Sequence, residues 1–434
     1  MLLRRMAIAL VAAGVLVTAM GVTTAATGEA GPRRRQVPPG GALDGSGASF
    51  PCGYIEQAIE DAESDDLVVT YDCDGSGSGR AAFIQGSVDF AGSDVPLSDA
   101  EQAQLAAKGV RYVQFAYVGG GIVLAYNPGS GLPYNLMLST DTVGKIFSGQ
   151  IVNWDDAELA RQNPGVSLPD LRLRVAARSD SSGTTNGFTS FMAQTSTSWT
   201  AGTRDVFDSP PLPAFPGLLT VEGSDGVADA VRDNPGMIGY VELSFARERR
   251  LNVAAVEGAD GFMLSDTSAV TEAVAALRLN ADGTVTPSFA TAPGYPVSVV
   301  TYLLVRQDNK DRQTATNLRA FAELLLSNGD KAASLAYAPV PTSLVAYARR
   351  QIATIGPGDS AAASTTTVPP VTVAPEEVTP STTGTPSVSP VPSTASPTTT
   401  PVTGSPSGTL TGLGLALVAA GLGLMRLSRP RLAT

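Results

Sequence analysis

The chain has 434 residues, with 29 Lys and Arg against 40 Asp and Glu for a net charge of −11, and it contains no histidine. So acidic a balance lacks the basic face that nucleic-acid phosphates require, and no nucleic-acid partner is expected. Without histidine there is no zinc-protease helix, no Ser-His-Asp relay and no imidazole base, so the expectation is a protein that is not an enzyme and has neither metal nor cofactor.

The chain opens with Arg4 and Arg5, an apolar run from Ala7 to Ala19, and small residues through Ala25 and Ala26. That order predicts a signal peptide over residues 1–26. The apolar run is short for a retained spanning helix, the other reading. Arg4-Arg5 is also a weak twin-arginine signal, the general secretory route being favoured. No cysteine lies near the cleavage region, so an N-terminal lipid anchor is excluded. The only cysteines are Cys52 and Cys73. In an exported chain such a pair favours one disulfide over a metal site, with two free thiols as the alternative.

Residues 42–356 read as the folded part, more than a single core usually serves. Ile55, Ala58, Ile59 and Ala62 mark a helix opened by Pro51, a residue tolerated in a first turn. Leu67–Tyr71 and Val88–Ala91 read as strands. Ser98 to Glu101 forms a capping box for a helix ending at Gly109. Val113–Val118 and Ile122–Tyr126 read as two apolar strands separated by three glycines. Leu171–Ala177 is a strand, and Phe188, Phe191 and Met192 share one face of the helix after it. Val297–Val305 is a long buried strand, and Leu318, Phe321, Ala322 and Leu325 give a helical stripe. Strand and helix alternate throughout without internal repeat, which implies α/β architecture.

Beyond Gly356 the composition shifts to Ser, Thr, Pro and Val, with Glu376 and Glu377 the only charges between Ser364 and Ser407. Residues 357–408 are therefore expected to be a solvated stalk, with no means of burying a core. Residues 409–426 read as a transmembrane or sorting-signal helix, and 427–434 as a basic cytoplasmic tail. Thr400-Pro401-Val402-Thr403-Gly404 resembles the wall-sorting signal of Gram-positive surface proteins, without its leading leucine. A retained membrane anchor and coupling to the cell wall are both open; either tethers the protein outside the cell by its C-terminus.

Four polar segments sit at strand ends or helix starts. They are Gly45 to Pro51, Asp74 to Arg80, Ala91 to Pro96 and Arg178 to Thr185. The first amides of a helix lack internal partners and carry the positive end of its dipole, while serine and threonine add hydroxyl donors. Several such ends meeting at one point would surround an oxyanion with little net positive charge, and Arg178 would add an always-charged fork. Singly, a Gly-Ser run is more often a turn or a cap. No segment matches a nucleotide phosphate loop, a Gly-x-Gly-x-x-Gly turn or a Gly-x-Ser-x-Gly elbow.

Together, the segments resemble the substrate-binding protein of the high-affinity phosphate (Pst) ABC transporter. The resemblance runs through Gly45-Ser-Gly-Ala-Ser-Phe-Pro51, Tyr71 to Arg80, Val88 to Ser98, Lys145 to Trp154, Arg178 to Thr184 and Pro235 to Val241, and covers about residues 43–350. It implies a type II periplasmic-binding-protein fold, two α/β lobes joined by two crossing strands, with lobe 1 about 42–122 and 297–356 and lobe 2 about 123–296. By position it implies phosphate contacts from Ser49, the Phe50 amide, Ser76, Asp94, Arg178, Ser182, Gly183 and Thr184. Asp180 would orient Arg178, its blander reading being a turn aspartate. A Cys52–Cys73 bond would join two of the ligand loops.

Asp94 bears on which anion is taken. A buried carboxylate repels an anion unless that anion brings a proton to donate. Phosphate is protonated at neutral pH and sulfate is not. The expectation is thus a monomeric, surface-tethered phosphate receptor that closes about a hinge near Val118–Ala125 and Val297–Leu303. It would hand phosphate to the permease and ATPase subunits of an ABC transporter. The alternative is a surface-displayed scavenging or interaction module no longer coupled to a permease.

Overall fold

The computed structural model describes residues 41–358 except Asp65 and residues 210–213. The signal peptide, the sorting-signal or membrane helix, the basic tail and all but the first residues of the stalk lie outside the described residues. Among the described residues, no helix is long and apolar enough to cross a membrane.

The chain forms β1 (Leu43–Gly47), α1 (Cys52–Ser64), β2 (Val69–Asp72), α2 (Ser76–Gln85), β3 (Phe90–Ser93) and α3 (Asp99–Ala107) before a long strand, β4 (Tyr112–Tyr126). There follow α4 (Thr140–Phe147), β5 (Arg174–Arg178), α5 (Gly183–Thr195), β6 (Leu218–Val221), α6 (Gly223–Asp233), β7 (Met237–Glu242), α7 (Leu243–Glu248) and α8 (Thr267–Ala275). Then β8 (Ser298–Arg306) returns to the first sheet, and α9 (Arg312–Ser327) and α10 (Thr342–Ile352) pack back on it. Shorter strands and turns fill the connections. The main strands run in the order β2-β1-β3-β8-β4-β7-β5-β6. β1 is parallel to β2 and β3, and β8 is antiparallel to β3 and β4. β4 is antiparallel to β7, and β5 is parallel to β6 and β7. This is a two-lobed α/β fold in which β4 runs from one lobe into the other.

The single strand β4 corrects the expectation of two strands broken by glycines. Gly119, Gly120 and Gly121 stay in the ladder, opposite Val300, Val299 and Ser298 of β8. Their role is close packing rather than a turn. A Cβ at Gly119 would lie 2.6 Å from Val274 of α8, and one at Gly120 would lie 2.6 Å from the ring of Phe50.

Three other strands start later than their apolar patterns suggest and end on polar residues, at Asp72, Ser93 and Arg178. Ladder bonds are made by the main chain, so a strand continues past its last apolar side chain. In β3 and β5 that extension delivers Ser93 and Arg178 to the cleft. The capping box of α3 forms as expected, with Ser98 N–H donating to Glu101 at 2.8 Å and Glu101 N–H to the Ser98 hydroxyl at 3.4 Å. Phe188, Phe191 and Met192 of α5 and the stripe from Leu318 to Leu325 on α9 are all buried. Phe188 stacks on Tyr240, whose hydroxyl accepts the main-chain N–H of Arg178 at 3.0 Å. The core of the second lobe thereby fixes the strand end that carries the arginine.

Candidate functional site

Four helix starts converge where the lobes meet: α1 and α2 from one side, α5 and α6 from the other. Glycine lets these loops approach main chain to main chain. Gly47 stands at φ 145°, and a Cβ there would overlap the Gly92 carbonyl at 2.1 Å. A Cβ at Gly79 would lie 2.4 Å from the Gly47 Cα.

Arg178, 1% exposed, occupies the centre. Its Nε donates to Asp180 Oδ1 at 2.6 Å, and its Nη2 donates to the other oxygen of the same carboxylate. Burial alone would lower the arginine's proton affinity, but the Asp180 pair outweighs it and holds the guanidinium charged. The carboxyl in turn sits below its ordinary range, burial being outweighed by the arginine. The remaining terminal nitrogen, Nη1, donates to Ser49 Oγ at 3.0 Å and Ser224 Oγ at 3.1 Å. The fork is thus aimed across the cleft at the start of α1.

Asp94, in the loop after β3, is buried. Thr301 donates to its Oδ1 at 2.7 Å, and Ser76 Oγ lies 3.4 Å from its Oδ2. Burial pushes the Asp94 carboxyl up to about 6, with Thr301, Arg178, Ser76 and Arg80 offsetting part of the rise. Gly183 of α5 packs directly on this pair, for a Cβ there would lie 2.5 Å from Asp94 Cβ and 2.6 Å from Ser76 Oγ. Thr184 donates to Glu242 Oε1 at 2.9 Å. Ser182 is the N-cap of α5, accepting from Thr185 N–H at 3.2 Å, so its acceptor side is turned to its own helix. The Phe50 ring is buried, and its carbonyl accepts from Tyr337 at 2.7 Å.

The predicted residues therefore gather in two groups, each spanning the cleft: Ser49 with Arg178 and Asp180, and Ser76 and Asp94 with Gly183. Thr184 is linked to the first group through Glu242 and Ser224. Contacts across the cleft hold the lobes together. Gly77 N–H donates to the Ser181 carbonyl at 2.9 Å, Ser49 and Ser224 hydroxyls lie 2.9 Å apart, and Arg80 reaches Asp205 at 3.2 Å while also pairing with Glu101.

Sequence reasoning missed Ser224, Glu242 and Thr301. Ser224 lies in Glu222-Gly223-Ser224, a Gly-Ser helix start like the segments that were singled out. Glu242 is one residue beyond the segment ending at Val241, and its signal was an acid closing an apolar strand. Thr301 is a single threonine within the largely apolar run of β8.

Cys52, at the start of α1, and Cys73, beside the loop of Ser76, are joined in a disulfide with a Cα–Cα distance of 6.2 Å. It closes a separation of 21 residues, which constrains the unfolded chain by roughly 3 kcal/mol. Reduction is expected to lower the melting temperature by several degrees and to weaken ligand binding, because the loops of Ser49 and Ser76 lose their covalent link and keep only the hydrogen bond from Gly75 N–H to the Gly47 carbonyl and their packing. Melting curves with and without reductant and ligand check both.

A family model described as a PBP superfamily domain matches residues 24–329. The chain is similar to the phosphate-binding protein PstS of Xylella fastidiosa, 32% identical over 70% of this chain and 82% of that protein. It is also similar to the phosphate-binding protein PstS of Haemophilus influenzae, 30% identical over 71% of this chain and 92% of that one. A solved structure of a high-affinity periplasmic phosphate-binding protein bound with phosphate matches with a TM-score of 0.58 at 25% identity, covering 71% of this chain and 93% of its own.

Proposed function

The chain belongs to the PBP superfamily and within it to the PstS-like phosphate-binding proteins, and on that premise we propose that it captures inorganic phosphate outside the cytoplasm for uptake by an ABC transporter. The observation that carries this reading is the convergence of four helix starts on a buried arginine already oriented by Asp180. Such a site offers hydroxyls, amides and one fixed fork, the donor set a tetrahedral oxyanion needs. Ser49, the Phe50 amide, Ser76, Asp94, Arg178, Ser182, Gly183 and Thr184 would be its contacts, each serving as donor or acceptor by its own chemistry.

Phosphate binds, on this reading, as the lobes close about a hinge near Val118–Ala125 and Val297–Leu303, where β4 and β8 run side by side. The receptor acts as a monomer, is not an enzyme, and delivers phosphate to a permease. Its signal peptide is removed, and the stalk and C-terminal segment hold it at the outer face of the membrane or in the wall.

Calorimetric titration of phosphate and then sulfate into phosphate-stripped protein tests the reading. Tight phosphate binding with sulfate ignored is expected. Binding of neither anion would overturn it and leave a repurposed surface module.

A further inference from the structure

Glu242 closes β7 and is 1% exposed. Its Oε1 accepts from two hydroxyls of the site, Thr184 at 2.9 Å and Ser224 at 3.3 Å. Its Oε2 is buried without a hydrogen-bond partner among the described residues. A threonine or serine hydroxyl has one proton to give. While Thr184 spends its proton on an ionised Glu242, it turns lone pairs rather than a donor toward an incoming anion. The same holds for Ser224, which stands between Glu242, Ser49 and Arg178.

The charges around the cleft sharpen the conflict. Arg178 is matched by Asp180 and Arg80 by Glu101 and Asp205. Among the described residues, Asp94 and Glu242 remain as two carboxylates with no cation of their own, and Asp94 raises the proton affinity of Glu242. Tyr240 on the same strand, Tyr337 beside Phe50, and Tyr71 and Tyr117 near Asp94 also face this region, and all four are held neutral by burial. An anion entering here meets excess negative charge unless a proton enters with it.

We propose that Glu242 is a positioning residue that carries a proton in the phosphate-bound state, donating to Thr184 or Ser224 so that their own hydroxyl protons turn to the anion. With the lobes in contact and no anion between them its carboxyl is already pushed up to about 7, chiefly by burial with Asp94 adding, while its own main-chain N–H, Arg178 and Thr184 offset only part. An anion close by raises it further, so binding near neutral pH draws a proton onto Glu242. The sign follows from linkage. A group whose affinity for protons rises on binding favours the complex at low pH, and that advantage is lost as pH climbs through the free and then the bound value.

The inference rests on the phosphate-receptor reading and is tested with Glu242→Gln, whose amide supplies the donor permanently. Phosphate is titrated calorimetrically at pH 6, 7 and 8 in buffers of different ionisation heat, which counts protons taken up. Between pH 7 and 8 the wild-type protein is expected to take up a measurable fraction of a proton more than the variant. Its affinity should fall more steeply with pH, the limit for one proton being about tenfold per pH unit. Equal proton counts and parallel pH profiles would overturn the inference alone. No phosphate binding by the wild-type protein would overturn the receptor reading and this inference with it. Should Glu242→Gln fail to fold, the infrared difference spectrum of the wild-type protein on phosphate addition at pH 8, where Asp94 is ionised, decides. A protonated-carboxyl C=O band gained on binding supports the inference, and its absence overturns it.

Discussion

Gly183→Ala is expected to weaken phosphate binding on the order of a hundredfold while leaving the protein folded. The added methyl would lie 2.5 Å from Asp94 Cβ and 2.6 Å from Ser76 Oγ. Ser76 is able to rotate away, but Asp94 Cβ is a stem atom fixed by the main chain after β3 and by the Thr301 bond. Gly183 sits on α5 of one lobe, and Asp94 and Ser76 belong to the other. The clash therefore falls across the cleft, and opening the lobes relieves it without disturbing either core. Overpacking costs typically 1–3 kcal/mol where it cannot be relieved, and here that cost falls only on the closed, binding form. Calorimetry measures the lost affinity. Small-angle scattering at saturating phosphate should show the wild-type protein compacting and the variant remaining expanded. A variant that binds and compacts like the wild type would mean that the cleft tolerates far more separation than its contacts imply.

What the sequence made legible follows from how local each signal is. The capping box from Ser98 to Glu101 is complete within four residues, and it forms as read. The helical stripes on α5 and α9 are regular enough to be read without any partner in view. Gly119 to Gly121 were misread because glycine serves equally a turn and a surface on which Val274 and Phe50 pack, and only the three-dimensional neighbours distinguish the two. Ser49, Arg178 and Asp180 were legible together because their segments carry a familiar pattern. Glu242 and Thr301 were not, since each is one polar residue at the end of or within an apolar strand. Their meaning arises only when β7 and β8 are laid beside the loops after β3 and β5. A buried polar residue acquires its role from partners distant in sequence: 207 residues separate Thr301 from Asp94.

Asp94→Asn is expected to reduce discrimination between phosphate and sulfate by about a hundredfold, combining weaker phosphate binding with sulfate binding that the wild-type protein does not show. The carboxylate of Asp94 has one oxygen engaged by Thr301 and the other turned toward Ser76 and Gly183. Toward a bound anion it acts only as acceptor, so the ligand must supply the proton. Asparagine replaces that oxygen by an amide able to donate, and a fully deprotonated anion no longer meets an unpaired charge. A hydrogen bond to a charged group contributes about 1.5–3 kcal/mol, so phosphate affinity should fall by roughly tenfold to a hundredfold. Acid should mimic the substitution in the wild-type protein. Asp94 titrates at about 6, raised from its ordinary value mainly by burial. Above that value it is ionised and sulfate is rejected; as pH falls through it, the carboxyl gains a proton and the rejection fades. Glu242 acts on affinity rather than on selectivity, its proton favouring either anion as pH falls through about 7. Tight phosphate binding and rejection of sulfate then coincide where Asp94 is ionised and Glu242 is still readily protonated, a narrow interval near neutrality. Competition titrations of the two anions between pH 5 and 8, in the wild type and both single variants, check this. Rejection of sulfate by Asp94→Asn at every pH would show that the cleft excludes it by some other contact.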